Sequence, residues 1–428
     1  MTTAAPLTSS GVAVAKKDNS KLVGGVAQAV VGGFGLWAFA LGSRTSGSVQ
    51  TIFGFKNASG SGPGPLSVDS RGFAMAFAIV AILCGLVRAF APISKRTRTV
   101  LDIVFVAAFV LSFLIWGAAG NSSGLPVPSI IALTATSSVP FVLGALSGLL
   151  SERSGVVNIA IEGQFLAGAF GGALTASVTG SVWAGLIAGC AAGALISSLL
   201  AVLANRYLIE QVVLGVVINL LCSGVTGFFY DRLMANNGPE YNTPPIFSPI
   251  SIPGLSSIPV IGPLFDENIL FYAAYLLVPV VWFAVYRTRW GLRTRAIGEH
   301  PIAADTVGVK VLGLRYWNLL LAGLLSGLGG VWLTLGTTGA FGKDMSDGKG
   351  YIAIAALIVG RWTPVGSMGA ALLFGFATEL QLILSSQGTP IPSEFLQMIP
   401  YVVTIFLVAT IGGMVRPPAA ENKPFVKG

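Results

Sequence analysis

The chain is predicted to be an all-α, polytopic membrane protein, and three observations carry this prediction. Hydrophobic residues make up 54% of its 428 residues, and only 10% are charged. Many apolar runs reach about 20 residues, the length that a helix needs to cross roughly 30 Å of hydrocarbon. The basic residues lie between these runs and at the termini, where the positive-inside rule places them. The net charge of +8 therefore indicates membrane orientation and not nucleic-acid binding.

We expect about 12 membrane-spanning helices, within a range of about 10 to 12, and one of them is short or broken. The predicted spans are 22–42, 72–92, 99–119, 129–150, 156–178, 181–204, 208–230, 269–286, 315–337, 351–361, 367–387 and 397–415.

Three basic connections set the orientation of these spans. They follow the second, eighth and last spans, and all three lie on one side if the spans alternate from an N-terminus on that side. That side is the cytoplasm, so both the N-terminal tail (1–21) and the C-terminal tail (416–428) are predicted to be cytoplasmic. The residues concerned include Arg88, Lys95, Arg96, Arg98, Arg416, Lys423 and Lys427.

The run 351–361 is the unusual span, because about ten apolar residues are too few to cross as a full helix. If it did not cross, however, the basic C-terminus would face outward. A short or broken helix supported by its neighbours satisfies both constraints, since irregular backbone survives at membrane depth where protein covers it.

Glycine is abundant, at 55 residues, and much of it is spaced for helix contact. Gly185, Gly189 and Gly193 recur four apart, as do Gly323 and Gly327. Small residues at this spacing let helix backbones approach closely in lipid. These glycines are interpreted first as packing residues.

The motif content argues against an enzyme. No G-x-x-x-x-G-K-[ST] phosphate loop occurs in the sequence, so the chain is not its own ATPase by that route. It has one histidine, and its three cysteines lie far apart within apolar runs. We therefore predict no catalytic residue, no metal site and no cofactor.

Four polar residues inside spans are candidates for the translocation path. Glu379 lies near the middle of its span with Gln381 nearby, and Glu162 lies one turn after Asn158. Such residues face protein or a water-filled path. They either hydrogen-bond a polar solute or pair across helices, and for Asn158 and Glu162 the structural role is favoured.

A polar island lies between Arg287 and Arg315, and it contains six basic residues and the only histidine. Within it, Pro301 suits the first position of a helix and Gly308 the position just past its end. The segment between them is too short to be a stable helix alone in water. Two interpretations are open: the island is a loop that only fixes topology, or its short helix docks on a soluble partner. The helix signals at both ends of the segment favour the docking helix.

Three separated motifs resemble signatures of ABC importer permeases of the branched-chain amino acid and sugar class. They are Ser151-Glu-Arg-Ser-Gly-Val-Val-Asn-Ile-Ala-Ile-Glu-Gly, Gly291-Leu-Arg-Thr-Arg-Ala-Ile-Gly-Glu-His-Pro-Ile-Ala-Ala-Asp-Thr-Val-Gly-Val and Ile354-Ala-Ala-Leu-Ile-Val-Gly-Arg-Trp-Thr-Pro-Val-Gly. Their combination is most similar to bacterial nucleoside (or "simple sugar") uptake permeases. The match runs from about 134 to 413, so the first 120 residues depart from the family pattern.

This resemblance implies a type II-like permease subunit that transports nucleosides or related ribose-containing solutes across the bacterial plasma membrane. Expected partners are cytoplasmic ABC ATPase subunits, a second homologous permease, and an extracellular or lipid-anchored solute-binding protein. The implied organisation is an N-terminal extension with three spans (22–120), a permease core (129–415) and a cytoplasmic coupling loop (287–314). The implied ATPase contacts are Gly298, Glu299, His300, Ala303, Ala304 and Asp305.

Other functions stay open at this point. Within the same class, the solute is a simple sugar or a branched-chain amino acid. From other classes, the alternatives are an ion-coupled secondary transporter and a passive channel, and the sparse intramembrane acids count against the ion-coupled transporter.

Overall fold

The computed structural model describes residues 20–426, except 46, 57–59, 61, 122–123, 387–390 and 412–415. The predicted N-terminal tail up to residue 19 and the last four residues of the predicted final span lie outside the described residues. The chain divides into two units, which are Met1–Gly54 with Pro65–Leu125 and Phe55–Gly64 with Pro126–Gly428.

The first unit consists of three helices and a small sheet. Its helices are α1 (Ser20–Gly35), which continues as a π-helical turn (Leu36–Ala40), α2 (Ser70–Phe90) and α3 (Lys95–Ala118). Strand β1 (Gln50–Gly54) pairs antiparallel with β2 (Leu66–Asp69), and β1 lies between β2 and β3 (Leu125–Pro126) in the sheet.

Polar side chains begin and join the helices of the first unit. The Asp69 carboxylate accepts from the Gly72 N–H at 2.6 Å and caps α2. Between the helices, Arg88 forms an ion pair with Asp102, which also accepts from Gln28 Nε2 at 2.8 Å. An apolar environment makes an unpaired charge costly, so this pairing lets Arg88 and Asp102 lie between helices.

The second unit contains the remaining helices. They are α4 (Val127–Glu152), α5 (Ile161–Thr179), α6 (Val182–Asn205), α7 (Gln211–Phe229), α8 (Gly238–Tyr241), α9 (Ile269–Arg287), α10 (Arg289–Glu299), α11 (Pro301–Thr306), α12 (Val311–Val331), α13 (Lys349–Val359), α14 (Pro364–Ser386), α15 (Ser393–Gln397) and α16 (Ile399–Ile411). Two short strands, β4 (Pro249–Ser251) and β5 (Asp266–Asn268), pair antiparallel just before α9. The prediction of an all-α chain is thus correct for most of the structure but missed five short strands, which form in segments next to spans.

Eight helices among the described residues are long and apolar enough to cross a membrane. They are Ser70–Phe90, Arg96–Ala118, Val127–Glu152, Val182–Asn205, Gln211–Met234, Ile269–Arg287, Val311–Thr338 and Pro364–Ser386. Two shorter apolar helices, Gly24–Ala40 and Lys349–Val359, coincide with predicted spans. The second of these is the 11-residue helix α13, which matches the short helix predicted for 351–361.

The glycines that were interpreted as packing residues do bring helices together. A Cβ atom on Gly193 of α6 would lie 2.5 Å from the Cα atom of Gly327 on α12, and one on Gly323 would lie 2.7 Å from the Cα atom of Ala194. No real Cβ contact is that short, so α6 and α12 touch backbone to backbone.

Candidate functional site

The polar island folds as two consecutive helices, α10 and α11. Thr288 begins α10, because its hydroxyl accepts from the Gly291 N–H at 3.1 Å. Pro301 occupies the first position of α11, and Gly308 follows the helix with a φ of +85°. A left-handed φ favours glycine, so both end signals that sequence analysis identified are used.

One side of the helix pair is buried against the rest of the unit. Ile297, Ala304 and Val311 are 0%, 5% and 2% exposed, and they pack with Phe425 from the C-terminal tail. These four side chains form a small apolar core, which we call the coupling core. Since α11 is only six residues long, this packing provides the stability that the isolated segment lacks.

Three large apolar side chains of the same segment are exposed. Leu292, Ile302 and Val307 are 62%, 66% and 79% exposed, and they lie outside the helices that qualify as spans. Exposed apolar side chains outside the spans mark a surface for another protein when they cluster on one short segment. Sequence analysis missed these three residues, although apolar residues within a charged island were the available signal.

The six residues predicted to contact an ATPase divide between the two sides. The exposed ones are Glu299, His300 and Ala303, whereas Gly298 and Ala304 are buried and Asp305 is half-buried. The six therefore do not form a single exposed surface.

The two buried members hold the helix pair in place. The Gly298 carbonyl accepts from the Ala420 N–H at 2.9 Å, and a side chain on Gly298 would collide with the Arg153 carbonyl. Ala304 belongs to the coupling core. Glycine is required at position 298 because a Cβ atom there would lie 2.2 Å from the Arg153 carbonyl oxygen.

Basic residues beside α10 stack on aromatic rings at the end of α9. The guanidinium of Arg287 lies 5.6 Å from the Trp282 ring centre, and that of Arg295 lies 5.2 Å from the Tyr286 ring centre. Aromatic and basic side chains are characteristic of the membrane–water interface. This pairing places the start of the helix pair at the end of a span.

A second polar site surrounds Glu162 in the first turn of α5. This carboxylate accepts from the Ser346 hydroxyl at 2.6 Å, the Gly348 N–H at 2.8 Å and the Gly350 N–H at 2.6 Å. The two N–H groups belong to the N-terminus of α13, where a helix lacks internal acceptors and carries a partial positive charge. Glu162 thus caps a helix that lies more than 180 residues later in the chain.

The other end of α13 is held by residues at the end of α4. The Trp362 carbonyl accepts from Arg153 Nη2 at 2.8 Å, and the Trp362 indole N–H donates to Glu152 Oε2 at 2.5 Å. A cation near the C-terminus complements the helix dipole. The segment from Glu152 to Glu162 therefore binds both ends of α13, which lets an 11-residue helix persist within the bundle.

Asn158 and Glu379 are also paired within the protein. Asn158 exchanges hydrogen bonds with Gln164, at 3.3 and 3.1 Å. The Glu379 carboxylate, 4% exposed, accepts from the Ser137 hydroxyl. Gln381 is half-buried and lies two residues further along α14, so it faces another direction than Glu379. The structure thus separates Glu379 and Gln381 and places both apart from the α5 network.

Asn219 of α7 was missed by sequence analysis. Its Oδ1 accepts from the Gly163 N–H at 2.8 Å, and its Nδ2 donates to the Ile159 carbonyl at 2.9 Å and to the Tyr351 hydroxyl at 3.0 Å. A single amide thereby joins α5, α7 and α13. A polar residue within a long apolar run was the available signal.

Comparison with known proteins places the chain in one family. Residues 130–408 match the model of the branched-chain amino acid transport system/permease component family. The guanosine ABC transporter permease protein NupQ of Bacillus subtilis is 38% identical over 309 residues, which are 70% of this chain and 97% of that protein. The nucleoside ABC transporter permease protein NupC of Lactococcus lactis is 35% identical over 300 residues, 68% of this chain and 94% of that protein.

A relative that is named for a different solute is also similar to this chain. The putative glucose ABC transporter permease protein TsgC13 of Haloferax volcanii is 35% identical over 250 residues, 58% of this chain and 75% of that protein. The solved structures contain no significant match to the chain.

Proposed function

This chain belongs to the branched-chain amino acid transport system permease family, and we propose that it is the nucleoside-translocating membrane subunit of an ABC importer. The exposed apolar side chains on α10, on α11 and just after α11 are the observation that carries this proposal. We define the coupling surface as these side chains, Leu292, Ile302 and Val307, together with the exposed Glu299, His300 and Ala303.

The coupling surface suits a cytoplasmic ATPase subunit. It lies next to the basic end of α9, which the positive-inside rule assigns to the cytoplasm. It combines the apolar Leu292, Ile302 and Val307 with the polar Glu299 and His300, a mixture typical of protein interfaces. ATP hydrolysis is then carried out by the partner, and this chain converts the partner's movement into alternating access.

The nucleoside assignment rests on relatives. Two nucleoside or guanosine permeases are 35% and 38% identical over about two thirds of this chain. A simple sugar is the second candidate, because the glucose relative is also 35% identical, although over 58% of the chain. An ion-coupled carrier is disfavoured, since Glu162 and Glu379 both accept hydrogen bonds from the protein itself.

The proposed membrane arrangement has about twelve crossings, a type II-like fold and both termini in the cytoplasm of a bacterial cell. The shortness of α13 supports a broken crossing. The described part of the C-terminal tail packs against α10 and α11, so the tail and the coupling surface share one side. Residues 22–120 form the proposed N-terminal extension and 129–415 the permease core, with 287–314 as its coupling loop.

The proposed partners besides the ATPase are a second homologous permease and a solute-binding protein at the outer face. The family model and the ABC transporter relatives support both, because importers of this class use such subunits. The lipid bilayer surrounds the exposed apolar sides of the spans.

Replacement of Ile302 by aspartate tests the coupling surface. We expect Ile302→Asp to reduce co-purification of the co-expressed ATPase subunit and uptake of labelled guanosine by at least tenfold, because it places a charge in an apolar interface. Ile302 is 66% exposed, so membrane insertion is expected to be unchanged.

Ile250→Asp is the matched control. Ile250 is 48% exposed on β4, which precedes α9, whereas the coupling surface follows α9. This control is expected to retain the ATPase. Normal ATPase yield with Ile302→Asp would contradict the docking proposal, and failure of the native complex to take up guanosine would contradict the solute assignment.

A further inference from the structure

We propose that the C-terminal segment from Pro418 to Phe425 is a coupling strap that fastens α10 and α11 to the inner ends of α4, α7 and α12. Movement of the ATPase at the coupling surface would then reach α4 and α7, and not only α9 and α12, to which the helix pair is covalently connected. This inference rests on the proposed function of the coupling surface.

Phe425 is the apolar anchor of the strap. It is 7% exposed and completes the coupling core with Ile297, Ala304 and Val311. Its neighbour Val426 is 68% exposed. The burial of one aromatic ring beneath α11 means that α11 rests on the strap as well as on α12.

Backbone groups of the strap bind α10 and α12 directly. The Ala420 N–H donates to the Gly298 carbonyl at the end of α10, at 2.9 Å. Arg315 of α12 is fully buried, and its guanidinium donates to the Lys423 carbonyl at 3.3 Å and to the Ser154 carbonyl at 3.1 Å. One buried cation thus joins the strap to α12 and to the connection that follows α4.

Side chains extend the strap to two further helices. Asn422 donates to Glu210, at 3.1 Å, and Glu210 caps α7 by accepting from the Val213 N–H at 2.6 Å. The Glu421 carboxyl lies close enough to that of Glu152, at the end of α4, for the two to interact electrostatically. The strap therefore contacts α4, α7, α10, α11 and α12.

Phe425→Ala, with Val426→Ala as the control, tests this inference in the complex with the co-expressed ATPase. The coupling surface is intact in Phe425→Ala, so ATPase co-purification is expected to remain within twofold of the native chain. The amount of labelled guanosine imported per ATP hydrolysed is expected to fall at least tenfold. Phe425→Leu, which keeps an apolar side chain, should lie between these values, and Val426→Ala should match the native chain.

Three results would overturn the strap. The first is that Phe425→Ala imports as much guanosine per ATP as the native chain. The second is that import and ATPase co-purification fall equally in Phe425→Ala, because the tail would then only support docking. The third applies if Phe425→Ala does not accumulate in the membrane: Phe425→Leu then imports as much guanosine per ATP as the native chain. The proposed function fails separately, when Ile302→Asp retains the ATPase or the native complex imports no guanosine.

Discussion

Replacement of Glu162 by glutamine is expected to destabilise the second unit without changing the concentration dependence of transport. The carboxylate accepts three hydrogen bonds, from Ser346, Gly348 and Gly350, and is 8% exposed. Glutamine keeps one acceptor oxygen and places an NH₂ group where the second oxygen was. One donor at the N-terminus of α13 therefore loses its acceptor.

The expected decrease in the free energy of unfolding follows from these contacts. A buried donor left without an acceptor costs about 1–3 kcal/mol. Loss of a negative charge at a helix N-terminus costs about 0.3–2 kcal/mol more. The sum is roughly 1–5 kcal/mol, which at about 2–4 °C per kcal/mol corresponds to a fall of about 3 °C or more in the midpoint of thermal unfolding.

Thermal unfolding of the detergent-purified complex measures this loss, with Glu394→Gln as the control. Glu394 is exposed on α15, so its replacement should move the midpoint little. Uptake of labelled guanosine is measured in parallel, and KM should stay native if Glu162 is a helix cap. A raised KM with an unchanged midpoint would refute this reasoning and would place Glu162 in contact with the solute.

Two further predictions concern helix packing and the strap. Gly327→Ala should destabilise the second unit by about 1–3 kcal/mol, because its Cβ would lie 2.6 Å from the Gly189 carbonyl oxygen. Gly224→Ala is the control, because the space around its Cβ is open. Equal midpoints of thermal unfolding for the two variants would contradict the predicted packing. Burial raises the pKa of Glu421 to about 7, so the folded state favours the protonated carboxyl, and docking of the strap should weaken as pH rises from about 4.5 through 7. Glu421→Gln should weaken this dependence. The thermal midpoint is measured between pH 5 and 8, and an equal dependence on pH in the native chain and in Glu421→Gln would contradict the prediction.

The start and end of α11 in the coupling loop were predictable because their signals are local. Pro301 and Gly308 lie at the start and just past the end of α11, and both act through their own backbone. The short run that contains α13 was likewise recognisable from its length. Patterns of this kind depend on neighbours in the sequence alone.

Which residues of the coupling loop are buried and which are exposed could not be predicted in the same way. Ala303 and Ala304 are identical in the sequence, yet only Ala304 is buried, because α12 and Phe425 cover it. Phe425 lies more than 100 residues away, and no periodicity connects it with α11. The same limit applies to Glu162, whose partners belong to another helix.

The dependence of Glu162 on α13 also has a consequence for biosynthesis. Gly348 is made 186 residues after Glu162, which at about 5–20 residues per second is an interval of roughly 10–40 s. Throughout that interval the carboxylate has no α13 to bind, and an unpaired carboxylate is costly in an apolar bilayer. The hydrogen bonds that join α5 to α13 through Glu162 can therefore form only after the ribosome has made α13.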